Sequence, residues 1–535
     1  MLWFALHLPL LSLEAFCATL APEQQQRPAV LLAEHRVSHV NQAAAERGVK
    51  PGMKRATAMA LAGDLLVAEA DPARDAAALQ AVAHAALAFT PSVTLHDTPN
   101  DTPNNTQTVL LEVQASLRLF GGAAALRQRL LAAVAPLGHA VCCAAAPTAQ
   151  GAALLVRWRP DETAPQSSSR APGSLKPHSK TPGNKTPSDL PAHATDLKAL
   201  QAVLNQAPVW LLGPGREHWE ALQGMGLHTL SDLRQLPRSG LARRFGEGLM
   251  GDLDRALGLQ PDPRIWVTLP AIFESRLELY ARAENTDQVL AAAAVLLTRL
   301  VAWAQARHAR VAAFTLAMQH ERNRNTEVPP TELRIELAEP ALDAAHLQLL
   351  LRERLGRAEL AAPTLELRLH CHHTVAGHAP NGELFPTRAS AAEGLTRLLE
   401  RLRARLGDAQ VQRLVPVADH RPECASRSVP AHGSMAAGPA LMTESALPLH
   451  RPAWLLPEPL PLAEKGAMPL LQGRPLQLLS GPERIETGWW DEHPVARDYF
   501  IAQSEDASLV WVFRERIPRH SEAGEANWFL QGRFA

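Results

Sequence analysis

The sequence predicts an α+β protein of several domains, and three observations predict it. A chain of 535 residues is too long to close around one core and should divide into roughly three to five units. Two stretches, 159–197 and 418–449, are rich in Pro, Ser and other small or polar residues and nearly devoid of large apolar ones. They cannot bury enough surface to order themselves, and they read as a disordered insert and a linker. The remainder mixes strand-like alternating runs with long amphipathic helical patterns.

In chain order, Trp3–Leu8 reads as a first buried strand and Leu13–Leu20 as a helix. The apolar start imitates a secretion signal, but Pro9 and Glu14 interrupt it and the first Arg is Arg27, so the charged leader is missing. A helix follows Met53 through Leu61 and another runs from Arg74 to Phe89. Next comes the polar insert HDTPNDTPNNTQT, then the strand within Val109–Val113. The Gly121-Gly122 pair ends that strand where the backbone must turn, and a helix begins near Ala123. Cys142–Val156 continues as strand and helix, and Val209–Gly258 reads as a small helical domain with glycine turns. Strand-like runs at Arg276–Tyr280, Val311–Met318, Glu332–Leu337 and Thr364–His370 alternate with helices Thr286–Ala306, Ala341–Leu355 and Ala389–Leu406. Residues 450–535 concentrate Trp489, Trp490, Tyr499, Phe500, Trp511, Phe513, Trp528, Phe529 and Phe534 in a chain of 5% aromatics, which predicts a small antiparallel β module.

Composition excludes several classes. With 46% hydrophobic and 20% charged residues and a net charge of −1, the chain reads as soluble and globular, without the global basic field of a nucleic-acid binder, so any DNA contact must be local. Five cysteines without zinc-ligand spacing imply a reducing cytoplasm. The run His370-Cys371-His372-His373 has metal-ligating residue types, but neighbours on a strand point to opposite faces, so strand packing is the better reading. No run reaches the roughly 18 uninterrupted apolar residues of a membrane helix.

The stretch VLLEVQASLRLFGG, Val109–Gly122, resembles the "LDVTGS…LFG" segment in the palm of Y-family (translesion) DNA polymerases. The resemblance covers roughly residues 1–420 and implies that family's architecture. A palm would occupy 1–158 with small fingers at about 22–72, a helix-hairpin-helix thumb 198–265 and a β-rich little finger 270–417. The module at 450–535 would stand outside the general fold.

Position by position, the resemblance also implies lost chemistry. Aligning Glu14 with the end of the family's "SVE" run puts Ala5 where a metal-binding Asp belongs and Leu10 where an aromatic steric gate belongs. In VNQAAAERGVKPGM, similar to the fingers segment, Gln42 and Ala45 replace the Tyr and Arg that grip the triphosphate, and Arg47 lies two positions further along. In CCAAAPTAQGAALLV, Ala149 and Ala153 replace two Lys residues. Two-metal nucleotidyl transfer needs convergent carboxylates. The candidates are Asp97 and Asp101 in the polar insert and Glu112, which matches a family Asp that is not a ligand.

The binding features implied are retained. Gly213 and Gly215, with Arg216, resemble the thumb turn that brings backbone amides to a DNA phosphate, and Arg243, Arg244, Arg322 and Arg324 are candidate backbone contacts. Asn381-Gly382-Glu383-Leu384-Phe385 resembles the bacterial clamp-binding peptide Gln-x-x-Leu-Phe, with Asn381, Leu384 and Phe385 as its anchors. The resemblance therefore implies a non-catalytic member of the family, without metal or cofactor. It would act in the cytoplasm at the nucleoid in DNA-damage-induced mutagenesis, with four partners: non-specific primer-template or single-stranded DNA, a sliding clamp, a RecA-like protein, and an error-prone replicative-type DNA polymerase. An active translesion polymerase with diverged ligands, and a structural DNA-binding protein without clamp or polymerase partners, remain the alternatives.

Overall fold

A computed structural model describes residues 1–96, 107–158, 193–321, 328–377, 388–431, 451–452, 454–490, 494–516 and 527–534. The chain forms two compact units, Met1–Ala391 and Ala392–Ala535.

The first unit begins with β1 (Trp3–His7) and α1 (Leu11–Cys17). A subdomain then follows, consisting of β2 (Ala29–Ala33), β3 (Arg36–Val40), α2 (Gln42–Glu46), α3 (Arg55–Leu61) and β4 (Leu66–Glu69). Its sheet runs β3-β2-β4, with β4 parallel to β2, around Val30, Leu32, Val37, Val49 and Ala58. Helix α4 (Pro72–Leu87) starts where Asp71 caps two amides and Pro72 supplies a preset first turn.

Strands β5 (Val93–Leu95) and β6 (Thr108–Glu112) pair, and β6 runs through a short turn into α5 (Leu117–Phe120). The strand ends at Glu112, well before the glycine pair expected to end it; Gly121 and Gly122, with φ of +80° and +102°, instead terminate α5 and turn the chain into α6 (Ala123–Val134). β7 (Cys142–Ala146) and α7 (Ala149–Trp158) complete a four-stranded sheet of order β5-β6-β1-β7. One face, with Phe4, Leu6, Val109 and Leu111, packs on α4 and α6. The other, with Trp3, Ala5, Leu110 and Ala144, joins a core shared with α7 and the helices that follow it.

Those helices are α8 (Leu197–Leu204), α9 (Gly213–Glu217), α10 (Trp219–Gly224), α11 (Leu230–Gln235), α12 (Arg238–Phe245) and α13 (Glu247–Leu257). Asp196 caps α8, and Thr229 with Asp232 forms a reciprocal capping box on α11. An extended strap, 259–272, leads to β8 (Phe273–Ala283), α14 (Thr286–Ala306), β9 (Ala309–His320), β10 (Thr331–Ala341), α15 (Ala344–Leu355) and β11 (Thr364–Ala376). Their sheet runs β10-β9-β11-β8 and leaves β8 at the edge. Helix α14 is the one described helix long and apolar enough to cross a membrane. It is instead a core helix, with 61% of its most apolar window buried, and it packs on α4 as well as on its own sheet. Cys371 is buried in β11 with its Sγ 3.2 Å from the Ala313 carbonyl, a packing role.

Helix α16 (Arg388–Leu406) runs into the second unit, where β12 (Gln412–Pro416) pairs with β13 (Ser426–Pro430). Part of the stretch expected as a linker from residue 418 is therefore a strand, because the Ser-Arg-Ser-Val-Pro run finds a partner that its composition does not announce. The remaining strands are β14 (Trp454–Lys465), β15 (Met468–Leu471), β16 (Arg474–Pro475), β17 (Gln477–Thr487), β18 (Val495–Gln503), β19 (Leu509–Glu515) and β20 (Trp528–Arg533). They form a seven-stranded antiparallel sheet, β16-β15-β14-β20-β19-β18-β17. The sheet is larger than expected, since β14 runs through Pro457, Pro459 and Pro461. Prolines without an N–H interrupt its ladder to β20 between Leu455 and Leu460 without ending the strand.

Tyr499, Trp511 and Phe513 are buried and mutually packed, whereas Trp489 and Trp490 are 81% and 58% exposed. A closed ring of hydrogen bonds lies beside them. Arg497 donates to Glu423 (2.8 Å) and to the Tyr499 hydroxyl (3.1 Å), Tyr499 donates to Gln531 Oε1 (2.7 Å), and Gln531 Nε2 returns to Glu423 (2.9 Å).

Candidate functional site

Register across the first sheet builds the site. Thr94, Leu110, Ala5 and Ala144 form one cross-strand row over β5, β6, β1 and β7. Two residues along, on the same face because strand side chains alternate, His96, Thr108 and His7 form the next row. Ala5 is fully buried in the first row. His7 Nδ1 lies 2.9 Å from Thr108 Oγ1.

Arg264, from the strap, reaches this second row. Its Nη1 donates to His96 Nδ1 (3.3 Å), and its Nη2 donates to Gln150 Oε1 (3.2 Å) and pairs with Asp262. With Nδ1 accepting, the imidazole carries its proton on Nε2, which is buried and has no hydrogen-bond partner among the described residues. Burial pushes the pKa of His96 down to about 3, and Arg264, Arg157 and His7 add to the shift. Burial and Arg157 lower His7 to about 4. The row thus presents two imidazoles held neutral, one of them bonded to the Arg264–Asp262 pair, and among the described residues it brings together no convergent carboxylates of the kind two-metal chemistry uses.

The other predicted positions fall as follows. Asp97 and Asp101 lie outside the described residues. Glu112 ends β6, and its Oε1 accepts from the Gln114 amide. Leu10 is half-buried at the start of α1. Gln42 is exposed and hydrogen-bonds Glu46 (2.8 Å) along α2, Ala45 is half-buried, and Arg47 pairs with Asp64. Ala149 and Ala153 are both buried on the face of α7 that enters the core shared with α8–α13, so a Lys at either place would be surrounded by Leu side chains.

Gly213 opens the five-residue helix α9. Gly215 is buried, and a Cβ there would come 2.2 Å from the Val209 carbonyl oxygen, so its close backbone approach is to its own chain. Arg216 lies in the same helix. Arg243 and Arg244 are exposed in the last turn of α12, with the Arg244 guanidinium 5.6 Å from the Phe245 ring centre. Arg322, Arg324, Asn381, Leu384 and Phe385 lie outside the described residues. Among the described residues no three His, Cys, Asp or Glu side chains converge as a metal site.

Sequence reasoning passed over His7, His96, Arg157 and Arg264. Strand alternation could have found His7, two residues beyond Ala5. Arg264 carries no local signal, since it meets His96 across 168 positions.

Residues 11–156 match the impB/mucB/samB family. Protein ImuB from two strains of Caulobacter vibrioides, NA1000 / CB15N and ATCC 19089, is 28% identical over 506 residues, spanning 91% of this chain and all of each relative. Among solved structures, a Dbh ternary complex aligns at 14% identity and a TM-score of 0.34, over 70% of this chain and all of that one. DinB from Sulfolobus solfataricus aligns at 14% and 0.33, over 71% of this chain and all of that one. The chain is a homologue of Protein ImuB, and its residues 11–156 are a domain of the impB/mucB/samB family.

Proposed function

We propose that this protein is a non-catalytic, polymerase-shaped hub in DNA-damage-induced translesion synthesis. One observation carries the reading: on the sheet face where the family resemblance places catalytic carboxylates, the described residues are Ala5, His7 and His96 under Arg264. Phosphoryl transfer there would lack the charge stabilisation that metal ions supply. Similarity to Protein ImuB over most of the chain supports the same reading.

In this role the protein holds primer-template or single-stranded DNA without sequence preference, through Arg216, Arg243, Arg244, Arg322 and Arg324. It docks a sliding clamp through Asn381, Leu384 and Phe385. Its other partners are an ImuA-type RecA-like protein and an error-prone replicative-type polymerase that performs the synthesis.

Primer extension with Mg²⁺ or Mn²⁺ tests the first half: no extension is expected, and metal-dependent extension abolished by Asp97→Ala would overturn it. Clamp pull-down tests the second. The double variant Leu384→Ala, Phe385→Ala should lose the clamp with its Tm nearly unchanged, because side chains spent on a partner contribute little to folding. A destabilised variant that still captures the clamp would mean that these side chains belong to a core.

A further inference from the structure

A cavity of about 710 Å³ lies within the first unit, between α4 and the edge strand β8, in the size range of small-molecule sites. The α4 side is lined by small residues, among them Ala73, Ala77 and Ala81, which is why the two elements leave space between them. Arg299, on α14, lines the cavity and is only 6% exposed. A guanidinium carries five N–H donors. This one makes a single hydrogen bond among the described residues, to Ser275 Oγ at 3.3 Å, and no ion pair.

The carboxylates around the cavity are not its partners. Glu69 is exposed at the end of β4, Asp71 caps α4, Glu278 pairs with Arg276 and is 72% exposed, and Glu274 is 67% exposed and 4.0 Å from His370. Burial lowers the Arg299 pKa to about 10, still charged at neutral pH. His84, buried on the α4 side of the cavity, is held neutral by burial, with its pKa down to about 4, so it adds no competing charge. A buried charge without a counter-ion is costly, and structures that keep one do so where a partner arrives.

We propose that this cavity is a binding site for an oxyanion, carboxylate or phosphate, gripped by the Arg299 guanidinium. The planar fork of Arg299 suits two-point contact with either group.

Calorimetric titration of the full-length protein with inorganic pyrophosphate and, separately, with citrate distinguishes the two sources. One probe is expected to bind and to raise the Tm. Two variants test the location. Arg299→Met removes the charge while keeping the apolar volume, and Ala77→Leu fills the cavity from the opposite wall without touching Arg299. Each should weaken the bound probe at least about tenfold, the scale of one charge-assisted hydrogen bond. Binding of neither probe at millimolar concentration, or wild-type affinity in either folded variant, would overturn the assignment.

Discussion

Two buried polar clusters in this protein differ in how completely their hydrogen bonds close. In the second unit Arg497 sits opposite a carboxylate, and the ring through Glu423, Gln531 and Tyr499 closes on itself. Burial alone would raise the Glu423 pKa, yet its own backbone amide, Arg497 and Gln531 hold it below the ordinary value. In the first unit Arg264 divides its donors between a carboxylate, Asp262, and a neutral imidazole, His96, whose Nε2 is buried without a partner among the described residues; the Nε atoms of Arg264 and of Arg497 are both buried without partners there. The ring leaves one nitrogen of its members unsatisfied, whereas the first-unit cluster leaves an imidazole N–H unpaired as well as a guanidinium N–H, and each buried donor without a partner costs free energy.

The largest expected effect that would sharpen the contrast is in the ring of the second unit. Glu423→Ala leaves Arg497 buried and unpaired. Breaking a fully buried pair costs about 3–5 kcal/mol, and because the Glu423 side chain is 34% exposed the expected loss is about 2 kcal/mol. Urea unfolding of the full chain measures it; a loss below about 0.5 kcal/mol would mean that water already serves Arg497.

The second prediction separates the two clusters by pH. His7 and His96 have folded pKa values of about 4 and about 3, below the unfolded value of 6.5. The unfolded chain therefore binds more protons in that interval, and stability falls as pH drops from 6.5 toward 4, by about 1.4 kcal/mol per pH unit for each group. Asp75 and Asp252, with pKa values raised by burial, oppose this loss only once they begin to protonate. Glu423, with its lowered pKa, contributes stability that persists above 4.5 and is lost below it. Acid titration followed by hydrogen exchange should thus show the first unit loosening at higher pH than the second. Simultaneous loosening would erase the distinction.

The smallest effect belongs to His96→Leu. Replacing a half-satisfied buried imidazole by an apolar side chain should change stability by less than about 1 kcal/mol and flatten part of the pH dependence. A loss of several kcal/mol would show that the Arg264 contact is a structural keystone.

Much of this architecture is legible in the sequence, for identifiable reasons. Helix Thr286–Ala306 has the predicted bounds because its apolar period is unbroken and Asn285 caps it. The strand at Val109 is legible from its apolar run, although the glycine pair expected to end it instead caps the helix that follows. The short helix Leu117–Phe120 is not, being four residues long, and neither is β13, whose five residues gain their state only from β12. In the site, Ala5 is legible by register from Glu14, whereas Arg264 belongs to an irregular strap and is placed by tertiary packing alone. Gly215 shows the converse limit. Its glycine is visible in the sequence, but whether a phosphate or the chain's own carbonyl approaches it is decided only in three dimensions.

The position of β1 governs the order in which this protein can be built. β1 is made before either of its neighbours and is an interior strand of its sheet, with Ala5 opposite Leu110 on one side and Ala144 on the other. Neither ladder can exist until those partners have left the ribosome, at about 5–20 residues per second. The β2–β4 subdomain, by contrast, closes within residues 29–69. An apolar strand, Trp3–His7, therefore waits unpaired while a complete small sheet folds behind it, and a chain truncated before β7 has no second neighbour to give it.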